Sequence, residues 1–363
     1  MSHHRHAITS APLYLGQALS IRPSCIFARP VYEGSGFART AAWASTSQNL
    51  RQNSTQGLIS SQAAKKIRNA IEWLCAAAPW QRVWDIESKQ HYNFKCNFIT
   101  LTIPAISNVV NHSTFVRTCL NPFLTYSRKY FGLKNYVWKV EITRLGLPHV
   151  HLVTDTFINH KKLRKSWNKI LSSKGYIDGY TKKYSSLSLD QYLLLNPPNE
   201  KYDIEHRTSA YHQGCLQGWT QPNSTDVHAL SKVKNVCAYL CEYLGKSKTK
   251  HFHRKGRYKV LRFRSNMRLW GSSLSLSSSN KLSVHLFPNE ISKVSKQLFN
   301  NVIDSKQVQS VADAFGRVYN IGTLFFVKAE QWATVLKGTL YDIYTNHLLK
   351  IRTNVANYEL SLA

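Results

Sequence analysis

The stretch that decides the fold runs from Tyr136 to Asp155 and has the sequence YVWKVEITRLGLPHVHLVTD. Residues 136–143 and 149–155 alternate apolar and polar side chains, which is the period-two pattern of half-buried β-strands. Between them, Arg144-Leu-Gly-Leu-Pro148 contains a glycine and a proline, residues that favour a tight turn. The stretch therefore predicts an antiparallel β-hairpin.

This hairpin predicts a cluster of three chemically active side chains. His149 and His151 lie two residues apart on one strand, so both imidazoles project from the same face. Glu141 lies on the matching face of the preceding strand, and a short hairpin brings it beside the histidines. Two imidazoles and one carboxylate form a typical metal-binding set. The other His-x-His sequences, at His4 and His251, lack a strand pattern and a nearby carboxylate, and we interpret them as accidental or as DNA contacts.

Outward from the hairpin, the spacing of apolar residues predicts the neighbouring elements. A four-residue period predicts a helix over residues 62–78, with Ser61 as N-cap and Pro79 at its end. Alternation over residues 98–103 predicts a strand on which Thr100 and Thr102 face away from the aliphatic side chains. Helices are expected over residues 114–130 and 161–170. Residues 174–222 are rich in Tyr, Ser, Asn and Pro and are interpreted mainly as loop.

An apolar stripe at helical spacing predicts an amphipathic helix over residues 226–246, capped by Ser224 or Thr225. Tyr239 and Tyr243 lie one turn apart on its polar face, and Lys246 follows. A tyrosine hydroxyl, with a pKa near 10, is a poor nucleophile at neutral pH. A nearby lysine and a metal-polarised phosphate would make its attack feasible. An ordinary surface helix with tyrosine hydroxyls in water remains an alternative.

The charge of the chain points to a polyanionic partner. Its 363 residues contain 48 Lys and Arg against 19 Asp and Glu, a formal net charge of +29. Nucleic acid is the leading partner, and an anionic membrane surface is the alternative. The most apolar stretch, around residues 71–80, is too short for a bilayer that requires about 20 residues, so no membrane partner is expected.

Basic and aromatic residues interleave after the tyrosine helix, a pattern that suits phosphate contacts together with base stacking. The candidate DNA contacts are Lys250, Arg254, Arg257, Lys259, Arg262, Arg264 and Arg268, together with Thr100 and Thr102.

Composition predicts four regions along the chain. Residues 1–60 are expected to form a flexible basic arm, with a transit peptide as the alternative. Residues 61–90 form a helical lead-in, residues 91–275 the main domain, and residues 276–363 a C-terminal extension of mixed helix and strand. Seven cysteines without a Cys-x-x-Cys pair favour a reducing compartment.

Three segments, in order, resemble the motifs of the HUH superfamily of rolling-circle replication initiators from plasmids and single-stranded DNA phages and viruses. Phe98-Ile-Thr-Leu-Thr-Ile103 is similar to the first motif and Gly146-Leu-Pro-His-Val-His-Leu-Val153 to the second. Ala238-Tyr-Leu-Cys-Glu-Tyr-Leu-Gly-Lys246 is similar to the third. The resemblance covers residues 94–275, including Arg268-Leu-Trp-Gly271, which is similar to a segment that often follows the tyrosine helix.

The resemblance implies an α+β fold, with a ferredoxin-like or RRM-like domain built on a central antiparallel sheet. It implies Mg²⁺ or Mn²⁺ at the histidines and site-specific nicking of single-stranded or hairpin origin DNA. In the implied reaction a tyrosine attacks the scissile phosphate and keeps a 5′-phosphotyrosine, while the freed 3′-hydroxyl primes synthesis.

Two sequence features refine what the resemblance implies. Many relatives carry Tyr-x-x-Lys-Tyr, whereas here Glu242 stands in the lysine position. This favours Tyr243, paired with Lys246, as the primary nucleophile, with Tyr239 as a second nucleophile or a structural neighbour. The sequence contains no phosphate-binding loop of the helicase type, so a host helicase and DNA polymerase are expected partners. The expected compartment is the bacterial cytoplasm, or the host nucleus for a eukaryotic virus.

Two other functions use the same observations. A noncatalytic DNA-binding or packaging protein would need only the charge. A non-haem iron oxygenase also uses two histidines and one carboxylate, although the close His-x-His spacing, the tyrosine helix and the charge argue against it.

Overall fold

A computed structural model describes the chain over most of its length. The described residues are 13–32, 59–85, 89–106, 110–143, 145–229, 239–241, 267–278, 282–286, 290–291, 304–311, 318–326 and 339–353.

Strands and helices are numbered here in chain order. The strands are β1 (Tyr14–Arg22), β2 (Cys25–Tyr32), β3 (Gln81–Asp85), β4 (Gln90–Phe94), β5 (Asn97–Thr102), β6 (Tyr136–Ile142), β7 (Pro148–Thr154), β8 (Thr225–Ala229), β9 (Trp270–Ser272), β10 (Leu282–Leu286), β11 (Asp304–Val311) and β12 (Val318–Phe326). The helices are α1 (Ser61–Ala77), α2 (His112–Phe115), α3 (Asn121–Phe131), α4 (His160–Ser172), α5 (Asp178–Ser185), α6 (Leu189–Leu195), α7 (Ile204–Leu216), α8 (Leu274–Ser278) and α9 (Thr339–Thr353). A π-helical turn, Val116–Leu120, joins α2 to α3.

The chain forms two compact units, and the first is made from both of its ends. It comprises Met1–Ser54 with Ser278–Thr353, and the second comprises Thr55–Ser277 with Asn354–Ala363. In the first unit, an antiparallel sheet has the strand order β10-β1-β2-β12-β11.

This sheet differs from the flexible arm expected over residues 1–60. Leu19 and Ile21 on β1 pair with Ala28 and Ile26 on β2, and all four side chains are buried. The arm contains few acids, but apolar residues at period two give it a face that can be buried. The predicted extension over 276–363 likewise contributes strands to the same sheet rather than standing apart.

The second unit is built on an antiparallel sheet with the order β8-β5-β7-β6-β9. Its apolar face packs on α2, α3 and α4 in one hydrophobic core. Trp167 of α4 is fully buried there, between the rings of Phe115 and Phe123. These elements confirm the strands predicted around residues 98–103, 136–143 and 149–155 and the helices predicted at 114–130 and 161–170, with small shifts at their ends.

Helix α1 lies on the other face of this sheet. It packs against β6 and β9, and none of its residues belongs to the core on the opposite face. The predicted helix over 62–78 is therefore confirmed, but its N-cap is Ser60, whose hydroxyl accepts a hydrogen bond from the Ala63 amide at 3.1 Å. The expected cap, Ser61, is instead the first helical residue.

A tight turn fixes how β6 and β7 face each other. The Thr143 amide donates to the Leu147 carbonyl at 2.9 Å, and the Thr143 hydroxyl accepts from the Leu147 amide at 3.1 Å. Gly146 has a φ of +77°, a conformation that glycine adopts without steric cost. This turn sets Glu141 directly opposite His149.

The helix predicted over residues 226–246 is wrong at its start. Residues 225–229 form β8, which pairs antiparallel with β5 as an edge strand. Thr225 and Val227 are the less exposed positions and alternate with Asp226 and His228, so the local pattern also fits a strand. Neither Ser224 nor Thr225 is a helix cap, because Ser224 instead accepts the Thr102 amide through its carbonyl at 2.8 Å. Helix is described only at residues 239–241 of the predicted span.

The region 174–222, interpreted as mainly loop, contains α5, α6 and α7. These helices gather around Trp219, whose ring stacks on Tyr184 with centroids 5.1 Å apart. The rings of Tyr192 and Tyr211 lie 5.6 and 5.8 Å from Trp219. Aromatic packing thus replaces the aliphatic periodicity by which helices are usually predicted.

Candidate active site

The side chains of interest lie on one face of the second unit's sheet, opposite the hydrophobic core. Cross-strand pairs place Thr100 and Lys139 on either side of His151, and Thr102 and Glu141 on either side of His149. Directly opposed residues in a sheet project to the same side. We call the surface formed by Thr100, Thr102, Lys139, Glu141, His149 and His151 the site face.

His151 is held in a defined orientation. Its side chain is only 2% exposed, and its ring stacks on Phe98 with centroids 5.3 Å apart. The Thr100 hydroxyl lies 3.4 Å from Nδ1, and Oε2 of Glu141 lies 3.6 Å from Nε2. Contacts on both ring nitrogens and on the ring plane restrict the imidazole to one rotamer.

His149 is half-buried, and its ring lies 4.5 Å from that of His151, with the two planes at 74°. The two imidazoles are therefore neighbours on β7, as the alternation of the strand predicts. Glu141 stands opposite His149 across the hairpin and approaches His151 diagonally. The structure thus brings all three predicted metal-binding residues to one face.

Glu141 is ionised over a wide pH range. Burial by itself raises the pKa of this carboxyl group, but the hydrogen bond with His151 and the charge and hydrogen bond of Lys139 outweigh it and lower the pKa to about 2. The Lys139 ammonium donates to Oε1 at 2.9 Å, while Oε2 faces His151. At neutral pH the group is an anion with one oxygen directed at an imidazole.

The donor types on the site face suit a divalent ion. Two ligands about 2.1 Å from one ion lie roughly 3.0–3.4 Å apart, close to the 3.6 Å between Glu141 Oε2 and His151 Nε2. Within the described part of the chain, however, no three His, Cys, Asp or Glu side chains converge into a complete metal-holding cluster. His149 and Glu141 would have to turn slightly to share an ion with His151.

Lys139 is a site residue that the sequence analysis did not name. Its side chain is 6% exposed, although it carries a charge, and it lies between His151 on β7 and Trp270 on β9. The signal was present in the sequence, because Lys139 is two residues before Glu141 on the same strand and so shares its face.

Tyr239 lies beside this site. Its side chain is 41% exposed, and its ring centroid is 6.5 Å from that of Phe98, the same ring that stacks on His151. Two residues later, the Cys241 thiol approaches the Arg68 carbonyl of α1 at 3.8 Å, which ties this helical segment to the site side of the sheet. Tyr243 and Lys246, the predicted nucleophile and its partner, lie outside the described residues.

The predicted DNA contacts divide into three groups. The Thr100 hydroxyl contacts His151, and the Thr102 hydroxyl donates to the Ser224 carbonyl at 3.0 Å, so both threonines support the site face. Arg268 lies elsewhere, with its guanidinium 5.7 Å from the ring of Trp138, a residue of the opposite, core-facing side. The remaining six, Lys250, Arg254, Arg257, Lys259, Arg262 and Arg264, lie outside the described residues.

The edge strand β8 adds an acid and an imidazole next to the site face. Asp226 Oδ2 and His228 Nε2 are 2.6 Å apart, and both side chains are exposed. Asp226 is opposite Thr100 and His228 opposite Phe98 in the β5 pairing. These residues were missed because they fell within the helix predicted over 226–246.

With this geometry in place, the chain can be compared with known proteins. Residues 96–248 match a family model described as a replication-associated protein of the ORF2 type. This match supports a replication-associated protein of the initiator type, and DNA as its partner. The matched segment begins just before β5 and extends past Tyr239 and Tyr243, so it contains the whole site face. No curated protein and no solved structure matches the chain.

The membrane alternative finds no structural support in a spanning segment. Among the helices within the described ranges, none is both long and apolar enough to cross a bilayer.

Proposed function

We propose that this protein is a rolling-circle replication initiator that nicks and rejoins single-stranded DNA through a tyrosine. The observation that carries the proposal is the placement of His149, His151 and Glu141 on one sheet face, with Tyr239 at its margin. The match of residues 96–248 to a replication-associated family supports it independently. The antiparallel sheet with helices on its core side is the support for an HUH-type domain of ferredoxin-like or RRM-like architecture.

His149, His151 and Glu141 would hold the divalent ion, Mg²⁺ or Mn²⁺. When bound, this ion supplies Lewis-acid polarisation of the scissile phosphate. Phe98 and Thr100 hold the His151 ring in place, and Lys139 holds one oxygen of Glu141. Such supporting contacts around metal ligands raise the precision of a site at little cost when the reaction occurs.

In the proposed reaction, the phenol oxygen of a tyrosine attacks phosphorus and loses its proton. The bond from phosphorus to the 3′-oxygen breaks, and that oxygen leaves as a 3′-hydroxyl after gaining a proton. The product is a 5′-phosphotyrosine, whose bond energy allows later rejoining. Tyr243 stays the predicted primary nucleophile, and the position of Tyr239 beside Phe98 makes it the second candidate.

The proposed substrate is single-stranded or hairpin origin DNA, bound largely through phosphates by a chain of net charge +29. A host helicase and DNA polymerase would unwind and extend the nicked strand. The bacterial cytoplasm is the proposed compartment.

The charge alone also favours a second candidate, a noncatalytic DNA-binding or packaging protein. Both candidates predict salt-sensitive DNA binding, but only the initiator forms a covalent bond with DNA.

The test is incubation of the purified full chain with labelled origin-containing single strands and Mn²⁺, followed by denaturation. A denaturation-resistant adduct is expected with the wild type, and Tyr243→Phe is expected to abolish it. Loss in Tyr239→Phe alone would instead identify Tyr239 as the nucleophile. No adduct on any such strand would favour the noncatalytic binder.

Two further variants test the metal residues in the same assay. His149→Ala and His151→Ala should abolish the adduct and leave most of the salt-sensitive binding, because phosphate contacts carry that affinity. An adduct retained in both variants would contradict the metal assignment.

A further inference from the structure

Lys139 is a buried charge whose role goes beyond packing. An ammonium on a side chain that is only 6% exposed costs free energy unless an anion pairs with it. Glu141 supplies that anion at 2.9 Å. An apolar residue at this strand position would avoid the cost altogether, so the cation is not needed for the fold.

The position of Lys139 relates it to the proposed ion. It binds Oε1 of Glu141 while Oε2 of the same carboxylate faces His151. An ion held by Glu141 would therefore have an ammonium as its neighbour across that carboxylate. Two neutral imidazoles, one carboxylate and one ammonium give the protein side of the site a formal charge of zero, so a bound divalent ion would leave it at +2.

We propose that Lys139 couples occupancy of the metal site to DNA: its ammonium weakens binding of a divalent ion to the free protein and favours the ion together with a DNA phosphate. The inference rests on the proposed function of the site face. A phosphate brought to this face neutralises part of the excess charge, and the Lys139 ammonium is close enough to Glu141 to move between carboxylate and phosphate oxygens. The ion and DNA would then bind cooperatively, and linkage requires each to tighten the other by the same factor.

Coulomb's law gives the sign and the scale of the effect. Removing a unit charge a few ångströms from a divalent ion, even at an effective dielectric constant of about 20, changes affinity by well over about tenfold. The opposite effect, loss of the hydrogen bond that positions Glu141, weakens metal binding by about 10- to 100-fold in comparable supporting contacts. Because Glu141 keeps its contact with His151, we expect the electrostatic effect to win.

The experiment measures Mn²⁺ affinity by calorimetry, with and without an oligo(dT) strand. It uses the full chain in a Tyr239→Phe, Tyr243→Phe background that leaves the DNA intact. With Lys139 present, oligo(dT) should tighten Mn²⁺ binding at least about tenfold. Lys139→Met should tighten Mn²⁺ binding without DNA by a similar factor and shrink the effect of DNA. Lys139→Arg, which keeps the charge, is the matched control and should retain the coupling.

The outcomes separate this inference from the proposed function. Weaker or unchanged Mn²⁺ binding in Lys139→Met would overturn the coupling alone, because Lys139 would then only orient Glu141. If Lys139→Met does not fold, the measurement with Lys139 in place still decides, since equal Mn²⁺ affinity with and without oligo(dT) overturns the coupling. No Mn²⁺ binding under either condition would overturn the metal site and the coupling together.

Discussion

Phe98 links the imidazole of His151 to the tyrosine segment, and replacing it with leucine tests whether that link positions the site. Phe98 is almost fully buried, stacks on His151 at 5.3 Å and meets the edge of Tyr239 at 6.5 Å. Leucine keeps most of the apolar burial but removes both ring contacts. At about 0.5–1.5 kcal/mol for each ring pair, Phe98→Leu should destabilise the fold by about 1–3 kcal/mol.

The effect on chemistry should be larger than the effect on stability. A displacement of about 1 Å in a reacting group can reduce the rate by about a hundredfold, so we expect adduct formation to slow at least tenfold in Phe98→Leu. The measurement is the single-turnover rate of the denaturation-resistant adduct, at a temperature where circular dichroism shows the variant folded.

Phe94→Leu provides the matched control for this prediction. Phe94 is fully buried and pairs with Phe157 at 5.7 Å, but it has no ring contact with His151 or Tyr239 among the described contacts. It should lose comparable stability and keep its adduct rate. If Phe98→Leu reacts within about twofold of Phe94→Leu, the ring of Phe98 does not position the site and the reasoning fails.

Two other predictions concern the fold and the charge of the site. Gly214→Ala in α7 would ordinarily stabilise a helix by about 1 kcal/mol, but a Cβ there would overlap the Trp219 ring, so we expect a loss of about 1–3 kcal/mol in urea unfolding. Ser209→Ala on the exposed side of α7 is the control, and a stabilised Gly214→Ala would contradict the packing described around Trp219. For Glu141, the folded pKa of about 2 lies below the ordinary 4.5, so its ionised form stabilises the fold above pH 4.5 and this contribution disappears as the pH falls towards 2. Discounted for a side chain that is one-third exposed, the contribution is about 1–2 kcal/mol, and the stability difference between wild type and Glu141→Gln should shrink over that pH window; a constant difference would be inconsistent with the ion pair.

The sequence predicts best those parts of the site that depend on neighbouring residues. The hairpin of β6 and β7 needs only period-two alternation and a five-residue turn, and these place His149, His151 and Glu141 on one face. A strand that pairs locally has its register set by its own turn, so few alternatives compete.

The errors arise where pairing is distant. Residues 225–229 fit a helix or an edge strand equally well, and contact with β5, more than 120 residues earlier, decides between them. Lys139 was missed for a related reason: a lysine in a strand is usually solvated, and only the packing of β9 and α1 around β6 buries it.

The sheet of the first unit has a consequence for synthesis of the chain. Its β1–β2 hairpin forms from the first residues made, yet both neighbouring strands come much later: β10 begins at Leu282, 250 residues after β2 ends at Tyr32, and β12 follows β10. At about 5–20 residues per second, the ribosome leaves this hairpin with two open edges for on the order of ten seconds or more. Unpaired edges are templates for pairing with other chains, so nascent and prematurely ended chains should be more prone to aggregation than the finished protein.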